Sequence, residues 1–546
     1  MNNSSHRVAQ PAKRFYRRVV YALLISTVCH ILGSIAALGV LQPGLDIERP
    51  ILERAFYVSE NPIAWRVGWL TWQLTAASNL FASVTIVLYF FDARRRQIPG
   101  AGKPLGWAVV ALICTVAAVV PEQWGEFALV TEFVDTARQA VSTGDSTIYL
   151  QEEIRWITMT TVCGACGYTL MLLAWIACAV SYHGKPRSLW WFWLLGISDF
   201  VLFTLSYFAC WISCQSARVD GVYEDFHYVV LFNAMAFPLL VIWMLALITV
   251  LGNRHHAFFS ERSDQLHQVR WPAGQSGAKI ARLLHAPGLR DILRSVFGIF
   301  KMPVLKSDIR NVLYVNWLVP TPSVSRWLPH SLAADDLQGM TVISILTYQH
   351  GNFGPALLGP LRRWLPSPQQ SNWRLYLNEQ SAEGSIYFIK VCLDSGLHVF
   401  GSRLMSDGLA SHRCGEFEYG VDPGGGTLRL TADGGSAPEL ELKFSMDPGL
   451  KRDLPSPWET CFDDWEAAVV YLTEQNRAVD TVGGWHDELS ADIRIPMDLR
   501  QIQPVQIPAD IHCPLLAELD LHPADLHPFA FLVPEVTFEF LGESYR

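Results

Sequence analysis

The stretch VVYALLISTVCHILGSIAALGVL, residues 19–41, decides the fold of the first half of this chain. It contains no Asp, Glu, Lys or Arg, and its length matches the ~20 apolar residues that a helix needs to cross hydrocarbon. Because a helix satisfies its own backbone groups in lipid, the stretch predicts a transmembrane helix. It is longer than the ~7–15 apolar residues of a signal peptide, so we expect it to remain uncleaved.

Comparable apolar runs follow along the first half. They are Trp69–Phe91, Leu105–Val120, Trp156–Tyr182, Leu189–Cys214 and Tyr228–Leu251. The run that ends at Val120 is the shortest, and Pro121 follows it. The sequence therefore predicts an all-α six-helix transmembrane domain over residues 19–252, preceded by a basic N-terminus, residues 1–18.

The charges between these runs alternate in sign. Basic segments contain Arg7, Lys13, Arg14, Arg17, Arg18, Arg94, Arg95, Arg96, Lys103, Lys185 and Arg187. Acidic segments contain Asp46, Glu48, Glu53, Glu60, Glu122, Glu126, Glu132, Asp135, Asp145, Glu152, Glu153, Asp220, Glu224 and Asp225. Since basic loops stay on the cytoplasmic side, we expect a multi-pass inner-membrane protein with both termini in the cytoplasm.

A basic linker, residues 253–309, separates the apolar half from the rest of the chain. Its segment KIARLLHAPGLRDILRSVFGIF, residues 279–300, has apolar residues at helical spacing with basic residues between them. Such a helix could lie on an anionic membrane surface. Alternatively, it could pack as a linker helix on the domain that follows.

Residues 310–546 have the pattern of a cytoplasmic β-rich domain. Strand-like runs such as VLYVNWLV (312–319), MTVISILTY (340–348) and SIYFIKVCL (385–393) are separated by turns such as DPGGG (422–426). One helix, DDWEAAVVYLTEQ (463–475), interrupts them. We therefore expect an α+β domain with a closed or strongly curved sheet.

Several ligand classes have no support in this half. The chain has neither GxGxxG nor GxxxxGK[ST], and Cys392, Cys414, Cys461 and Cys513 lack metal-ligand spacing. We expect no cofactor, no metal and no nucleic-acid partner.

The run from Trp364 to Cys414 resembles the acetoacetate decarboxylase-like superfamily, and more closely an uncharacterised bacterial group within it. The resemblance rests on Asn372 before RLYL, on YF…LDSG, on the G-x-R step Gly401–Arg403 and on the turn before His412-Arg413. YLTEQNR (471–477), RIPMDLR (494–500) and FLVPEVTFEF (531–540) also fit that group. It implies a curved-sheet or barrel domain of this type. The membrane half resembles no family in the same way.

The resemblance also implies where a site would lie. The decarboxylases form an imine with one of two adjacent lysines, and Ser411 and His412 stand at the corresponding positions here. Because serine cannot form an imine, the resemblance argues against decarboxylase chemistry at that position. It leaves Arg403, His412, Arg413 and Asn372 as candidate ligand-binding residues for an anion.

Lys390 could supply an amine in place of the missing lysines. Strict alternation along SIYFIKVCL would place Lys390 on one face with Ile386, Phe388 and Cys392. An interior lysine can be reactive, whereas a lysine at a sheet edge reaches solvent.

CGAC, residues 163–166, has the spacing of a redox pair, but it falls within a predicted membrane helix. Cys210 and Cys214 approach the same outer level on the next helix. We expect packing by small residues around Cys163 and Cys166. A disulfide between the two helices, and a redox or soft-metal site, remain alternatives.

His30 and Asp199 are ionisable residues near the middle of predicted membrane helices. Since such groups usually pair or mark a pathway, one hypothesis is a direct His30–Asp199 contact. The other is that each side chain bonds locally and Asp199 stays protonated.

These features favour an integral membrane protein whose β-rich domain binds or senses a small carboxylate without catalysis. An enzyme acting on a small organic acid through Arg403, His412 or Lys390 is an alternative. A membrane pathway for a solute or protons through His30 and Asp199 is another.

Overall fold

The computed structural model divides into two compact units, Met1–Phe259 and Ser260–Arg546. The structure describes residues 3–96, 98, 100–184, 189–259, 269–284, 286–299, 302–329, 331–378, 384–447, 449–481, 489–508, 511–519, 521 and 526–545. Lys185 and Arg187, which contributed to the predicted orientation, lie outside the described residues. We call Met1–Phe259 the helical unit and Ser260–Arg546 the β-rich unit.

The helical unit consists of long helices with shorter ones between them. They are α1 (Asn3–Ala36), α2 (Ile51–Glu60), α3 (Pro62–Arg95), α4 (Gly102–Thr131), α5 (Phe133–Thr143), α6 (Ser146–Ile157), α7 (Ala165–His183), α8 (Trp190–Asp220) and α9 (His227–Phe259). Wider π-helical turns, Ala37–Leu41 and Thr158–Gly164, extend α1 and join α6 to α7. A short helix, Gln42–Leu45, follows the first of these turns.

Within the described residues, six helices are long and apolar enough to cross a membrane. These segments are Arg14–Leu45, Pro62–Arg95, Gly102–Thr131, Ser146–His183, Trp190–Val219 and His227–His255. Each contains one of the six predicted runs, apart from Leu189 at the start of the fifth, so the predicted all-α six-helix half is confirmed as a fold.

The third helix differs from its prediction. The sequence placed its end before Pro121, but α4 continues through Pro121 to Thr131. A proline inside a membrane helix is tolerated where neighbouring helices satisfy the freed backbone group. As a result Glu122 and Glu126, which the sequence assigned to an acidic loop, lie inside a helix that packs against α7.

The β-rich unit is built on a sheet that closes on itself. Its strands are β1 (Leu305–Pro320), β2 (Met340–Gln349), β3 (Gly354–Pro355), β4 (Gln369–Tyr376), β5 (Ser385–Leu393), β6 (His412–Arg413), β10 (Arg477–Asp480), β11 (Leu489–Arg494), β12 (Gln503–Val505) and β13 (Phe529–Tyr545). The order β1-β2-β4-β5-β10-β11-β13 returns to β1, because β13 pairs with β1 along their lengths. β10 joins β5 in parallel, while the other pairs of this ring are antiparallel. The predicted curved sheet is therefore a closed ring.

Both faces of the ring are covered. On one face, which we call the Trp373 face, Leu313, Ile345 and Trp373 pack with a separate sheet of β7 (Phe417–Asp422), β8 (Gly425–Leu430) and β9 (Leu440–Ser445). On the other, the Tyr376 face, Tyr314, Leu346 and Tyr376 pack with the helix Trp465–Thr473. Short helices also lie at Thr321–Val324 and Pro514–Ala517.

The linker helices belong to the β-rich unit. They are α10 (Ala278–Leu284) and α11 (Pro287–Ile299), and the helix Gly396–Met405, α12, packs near α10. Arg290 and Arg294 of α11 are buried and donate to Asp407, at 2.6 and 2.5 Å. Their charges are paired with Asp407 inside the β-rich unit. Of the two interpretations of this segment, the structure therefore shows the helix that packs on the β-rich domain. Lys279 and Arg282 of α10 remain exposed.

Candidate functional site

The Lys390 side chain lies on the Trp373 face. Between the pairs Trp373–Lys390 and Arg374–Phe388, β5 contains one residue more than β4, so a β-bulge interrupts the alternation at Ile389. Cross-strand partners share a face, which places Lys390 with Trp373 and leaves Phe388 with Arg374 on the Tyr376 face. The predicted grouping of Lys390 with Ile386 and Phe388 is therefore wrong, while its grouping with Cys392 holds.

His412 stands beside Lys390 because β6 pairs in parallel with β5. His412 is opposite Cys392, and its Nε2 lies 3.5 Å from the Lys390 Nζ. Its Nδ1 is 2.8 Å from the Ser436 Oγ. Ser436 accepts from the Arg270 N–H at 2.9 Å and donates to the Arg270 carbonyl at 3.1 Å. This arrangement assigns the Nδ1–H of His412 to Ser436 and leaves Nε2 to accept from the lysine.

The buried surroundings of Lys390 lower its pKa. Burial is the largest cause and, with the nearby Arg403 and Arg270 guanidiniums, lowers the pKa of Lys390 from 10.5 to about 8. Cys392 and Glu518 act in the opposite direction. The amine is thus mostly protonated at neutral pH, in surroundings with more positive than negative charge. We call Lys390, His412 and Ser436 the Lys390 site.

Arg403 is fully buried on α12. Its Nε donates to the Ser411 carbonyl at 2.8 Å and its Nη2 donates to the Ala410 carbonyl at 3.3 Å. Arg403 therefore holds the segment that leads into His412, and its charge reaches Lys390. These hydrogen bonds give Arg403 a structural role, and its role as a ligand contact stays a prediction.

A buried ion network holds the turn that precedes this segment. Arg290 also donates to the carbonyls of Arg403 and Leu404, at 2.7 and 2.9 Å. Burial raises the pKa of Asp407, but the Arg294 and Arg290 guanidiniums outweigh it and hold that pKa well below its usual range. Glu543 of β13 accepts from the backbone N–H groups of Asp407 and Gly408, both at 3.1 Å.

Arg413 and Asn372 are not part of the Lys390 site. Arg413 follows His412 on β6, so it points to the other side of that strand, and its Nη1 contacts the Leu393 carbonyl at 3.5 Å. Asn372 lies on the Tyr376 face, where it donates to the Tyr348 hydroxyl at 3.1 Å and accepts from Gln370 at 2.8 Å. Of the five candidate residues, the structure brings Lys390 and His412 together.

The hypothesis of a His30–Asp199 contact is not supported by the structure. The His30 nitrogens contact the Ser26 carbonyl at 2.7 Å and the Asn79 Nδ2 at 3.5 Å. Both carboxyl oxygens of Asp199 are buried without a hydrogen-bond partner among the described residues. The reason is helix arrangement, since α1 packs against α3 and α9, whereas α8 packs against α7 and α9.

The glycines and the cysteines in and around CGAC, residues 163–166, differ in their contacts. Gly164 and Gly167 pack against α4, and a Cβ at Gly167 would lie 2.6 Å from the Ala118 Cβ. Cys163 and Cys166 are exposed, whereas Cys210 and Cys214 are buried, and all four are free. The glycines, not the cysteines, therefore make the predicted packing contact.

The family match to this chain lies in the β-rich unit. Residues 306–409 match the family DUF2071, described as an uncharacterized conserved protein. The search of curated proteins finds no match for the sequence.

Solved structures similar to this chain cover 45% of it, which is the C-terminal half. An acetoacetate decarboxylase-like enzyme from Sphingomonas wittichii RW1 is 11% identical with a TM-score of 0.29, over 93% of that chain. The enduracididine biosynthesis enzyme MppR complexed with pyruvate is 13% identical with a TM-score of 0.30, over 90% of that chain. The acetoacetate decarboxylase of Legionella pneumophila is 8% identical with a TM-score of 0.30, over 87% of that chain. These structural likenesses and the family match of residues 306–409 fall on the same half of the chain as the sequence resemblance.

Proposed function

We propose that the chain is a protein of the inner membrane with both termini in the cytoplasm, and that its β-rich unit binds a small organic acid at the Lys390 site. The observation that carries this proposal is the half-buried Lys390 ammonium, held 3.5 Å from the His412 Nε2. A carboxylate is the natural partner of a cation in partly desolvated surroundings, because charge-assisted hydrogen bonds to it are short and strong.

The surrounding charges support an anionic ligand. Arg403 and Arg270 add positive potential at Lys390, and Glu518 opposes them. His412 is fixed by Ser436, so its orientation does not depend on the ligand. Arg403 is engaged with the carbonyls of Ala410 and Ser411, and His412 with Ser436, so these groups hold the segment 410–413 and the arrangement favours binding without chemistry.

We expect acetoacetate and related short carboxylates to raise the melting temperature of the purified full-length protein in detergent. Lys390→Met removes the ammonium, so the ligand-induced shift should disappear. Lys443→Met, on the exposed side of β9, is the matched control and should keep the full shift. Equal shifts in Lys390→Met and wild type would contradict the assignment.

A second function, imine formation by Lys390, is favoured by one specific observation. The amine lies beside position 412, where the family resemblance places a lysine, and burial next to Arg403 lowers its pKa to about 8. The same combination of burial and a neighbouring cation activates lysine nucleophiles. In such a step the amine nitrogen attacks the keto carbon, and water leaves as the C=N bond forms.

Borohydride trapping separates binding from imine chemistry. If Lys390 forms an imine, acetoacetate followed by borohydride leaves a reduced adduct on the peptide containing Lys390, detected by mass spectrometry. The adduct must be missing in Lys390→Met and present in Lys443→Met. A protein that binds acetoacetate yet gives no adduct is a binding protein at this site and not an imine-forming enzyme.

A further inference from the structure

The helical unit contains a line of buried polar side chains along one helix. On α3 these are Thr75, Ser78, Asn79, Ser83, Thr85 and Tyr89, each at most 5% exposed. From Thr75 to Tyr89 the line rises by about 20 Å along α3, two-thirds of the ~30 Å hydrocarbon thickness. Ionisable groups inside a membrane are costly, so the titratable side chains that adjoin this line indicate a function.

The middle of this line is centred on Asn79. Its Oδ1 accepts from the Ser26 Oγ at 2.9 Å, and its Nδ2 lies 3.5 Å from the His30 Nε2. The Nδ1 of His30 faces the Ser26 carbonyl at 2.7 Å, so Nε2 is the nitrogen that can accept a proton. Asn79 thereby fixes the orientation of a buried base, His30.

The outer part continues from Asn79 into α7 and α4. The Tyr168 hydroxyl donates to Glu122, and the Asn79 side chain lies near that hydroxyl. Glu126 lies one turn further along α4, is 2% exposed and accepts from the Gln123 Nε2 at 3.0 Å. The π-helical turn contributes Thr160 on this side, next to Gly125.

The inner part is a second hydrogen-bonded group on α3. The Tyr89 hydroxyl lies 2.7 Å from the Tyr182 hydroxyl and 3.1 Å from the His255 Nδ1. Between this group and Asn79, the Ser83 and Thr115 hydroxyls are 2.7 Å apart. Titratable side chains therefore stand at the inner end, the middle and the outer end of the line.

The two glutamates have no ion pair with a basic side chain within the part of the chain that the structure describes. An ionised carboxylate without a cation is expensive in hydrocarbon, so the pair is stable when it holds protons. A purely structural role would need only hydroxyl or amide groups, which cost less to bury than two adjacent carboxyl groups.

We propose that the helical unit conducts protons along this line, with Glu122 and Glu126 as the outer proton-binding groups and His30 as the base in the middle. Tyr168 bonds to Glu122 and lies near Asn79, which orients His30 and does not itself titrate. Transfer between the three groups of the line proceeds through water. Asp199, on α8, is not part of this path.

Proton flux through the reconstituted full-length protein tests the proposal. Liposomes loaded with the pH-sensitive dye pyranine receive an inside-negative potential from a potassium gradient and valinomycin. We expect the interior to acidify faster than in protein-free liposomes. Glu122→Gln combined with Glu126→Gln should slow the protein-dependent rate by about tenfold or more.

The control and a milder variant keep the test decisive. Glu132→Gln changes an exposed carboxylate at the end of α4 and should leave the rate unchanged. Tyr168→Phe removes one hydroxyl, preserves the ring and should also slow acidification, which guards against a double variant that fails to fold. Wild-type liposomes no faster than protein-free ones, or correctly folded variants at the wild-type rate, would overturn the proposal.

Discussion

Replacing Asp407 with alanine is expected to lower the free energy of unfolding of the β-rich unit by about 3–5 kcal/mol. Asp407 is fully buried and accepts from both Arg290 and Arg294, which are themselves at most 4% exposed. Without the carboxylate, two guanidiniums remain in the interior, where Arg294 also donates to Asp291 at 3.0 Å. Breaking a buried pair costs far more than the pair contributes, because the remaining charge has lost its water.

Chemical denaturation of the purified full-length protein measures this effect. Asp463→Ala, which removes an exposed carboxylate, is the control and should change the unfolding free energy by less than about 0.5 kcal/mol. The folded-state pKa of Asp407 is depressed, so its contribution is present above ~3.9, its unfolded pKa, and is lost as pH falls through the folded value. An Asp407→Ala variant as stable as Asp463→Ala at neutral pH would show that the network is not formed.

Gly167→Leu is expected to separate α4 from α7 and cost about 3 kcal/mol or more. A Cβ at this position would lie 2.6 Å from the Ala118 Cβ and 2.8 Å from its backbone Cα and N. Backbone atoms cannot move aside as a flexible side chain can, so the helices must part. The Glu122–Tyr168 contact joins the same two helices and would be strained with them.

Gly106→Leu is the matched control, because a Cβ at Gly106 of α4 meets nothing within 4 Å. It replaces a glycine by a good helix former on an exposed helix face and should not destabilise the bundle. Thermal unfolding and gel filtration in detergent compare the two variants. Similar melting temperatures and similar monodisperse yields would contradict the close α4–α7 packing.

The sequence predicted the elements well and their long-range contacts poorly. The composition and length of each apolar run or strand-like run can be read from local sequence. This is why six apolar helices and a curved β-rich half could be recognised. Pro121 hid the true length of α4, because neighbouring helices, not local sequence, decide whether a membrane helix continues past proline. Glu122 and Glu126 were consequently assigned to a loop.

At the Lys390 site, too, the sequence predicted the residues better than their long-range contacts. The resemblance pointed to His412, and strand periodicity suggested Lys390, but a single bulge at Ile389 decided which face the lysine occupies. Arg290 and Asp407 are separated by 117 residues in sequence, so their pairing left no local signal. The position of Asp407 just before the 411–412 segment was the one available indication that it supports the site.

Recognition of a carboxylate by the Lys390 ammonium is tested most directly by calorimetric titration of acetoacetate into the full-length protein at pH 7 and pH 9. Because the pKa of Lys390 is about 8, the ammonium is mostly lost by pH 9, and the affinity of the wild-type protein should fall by about tenfold. A Lys390→Arg variant that binds should keep the same affinity at both pH values, since arginine stays charged. Wild-type affinity that does not change between pH 7 and pH 9, or that survives in Lys390→Met, would contradict the assignment.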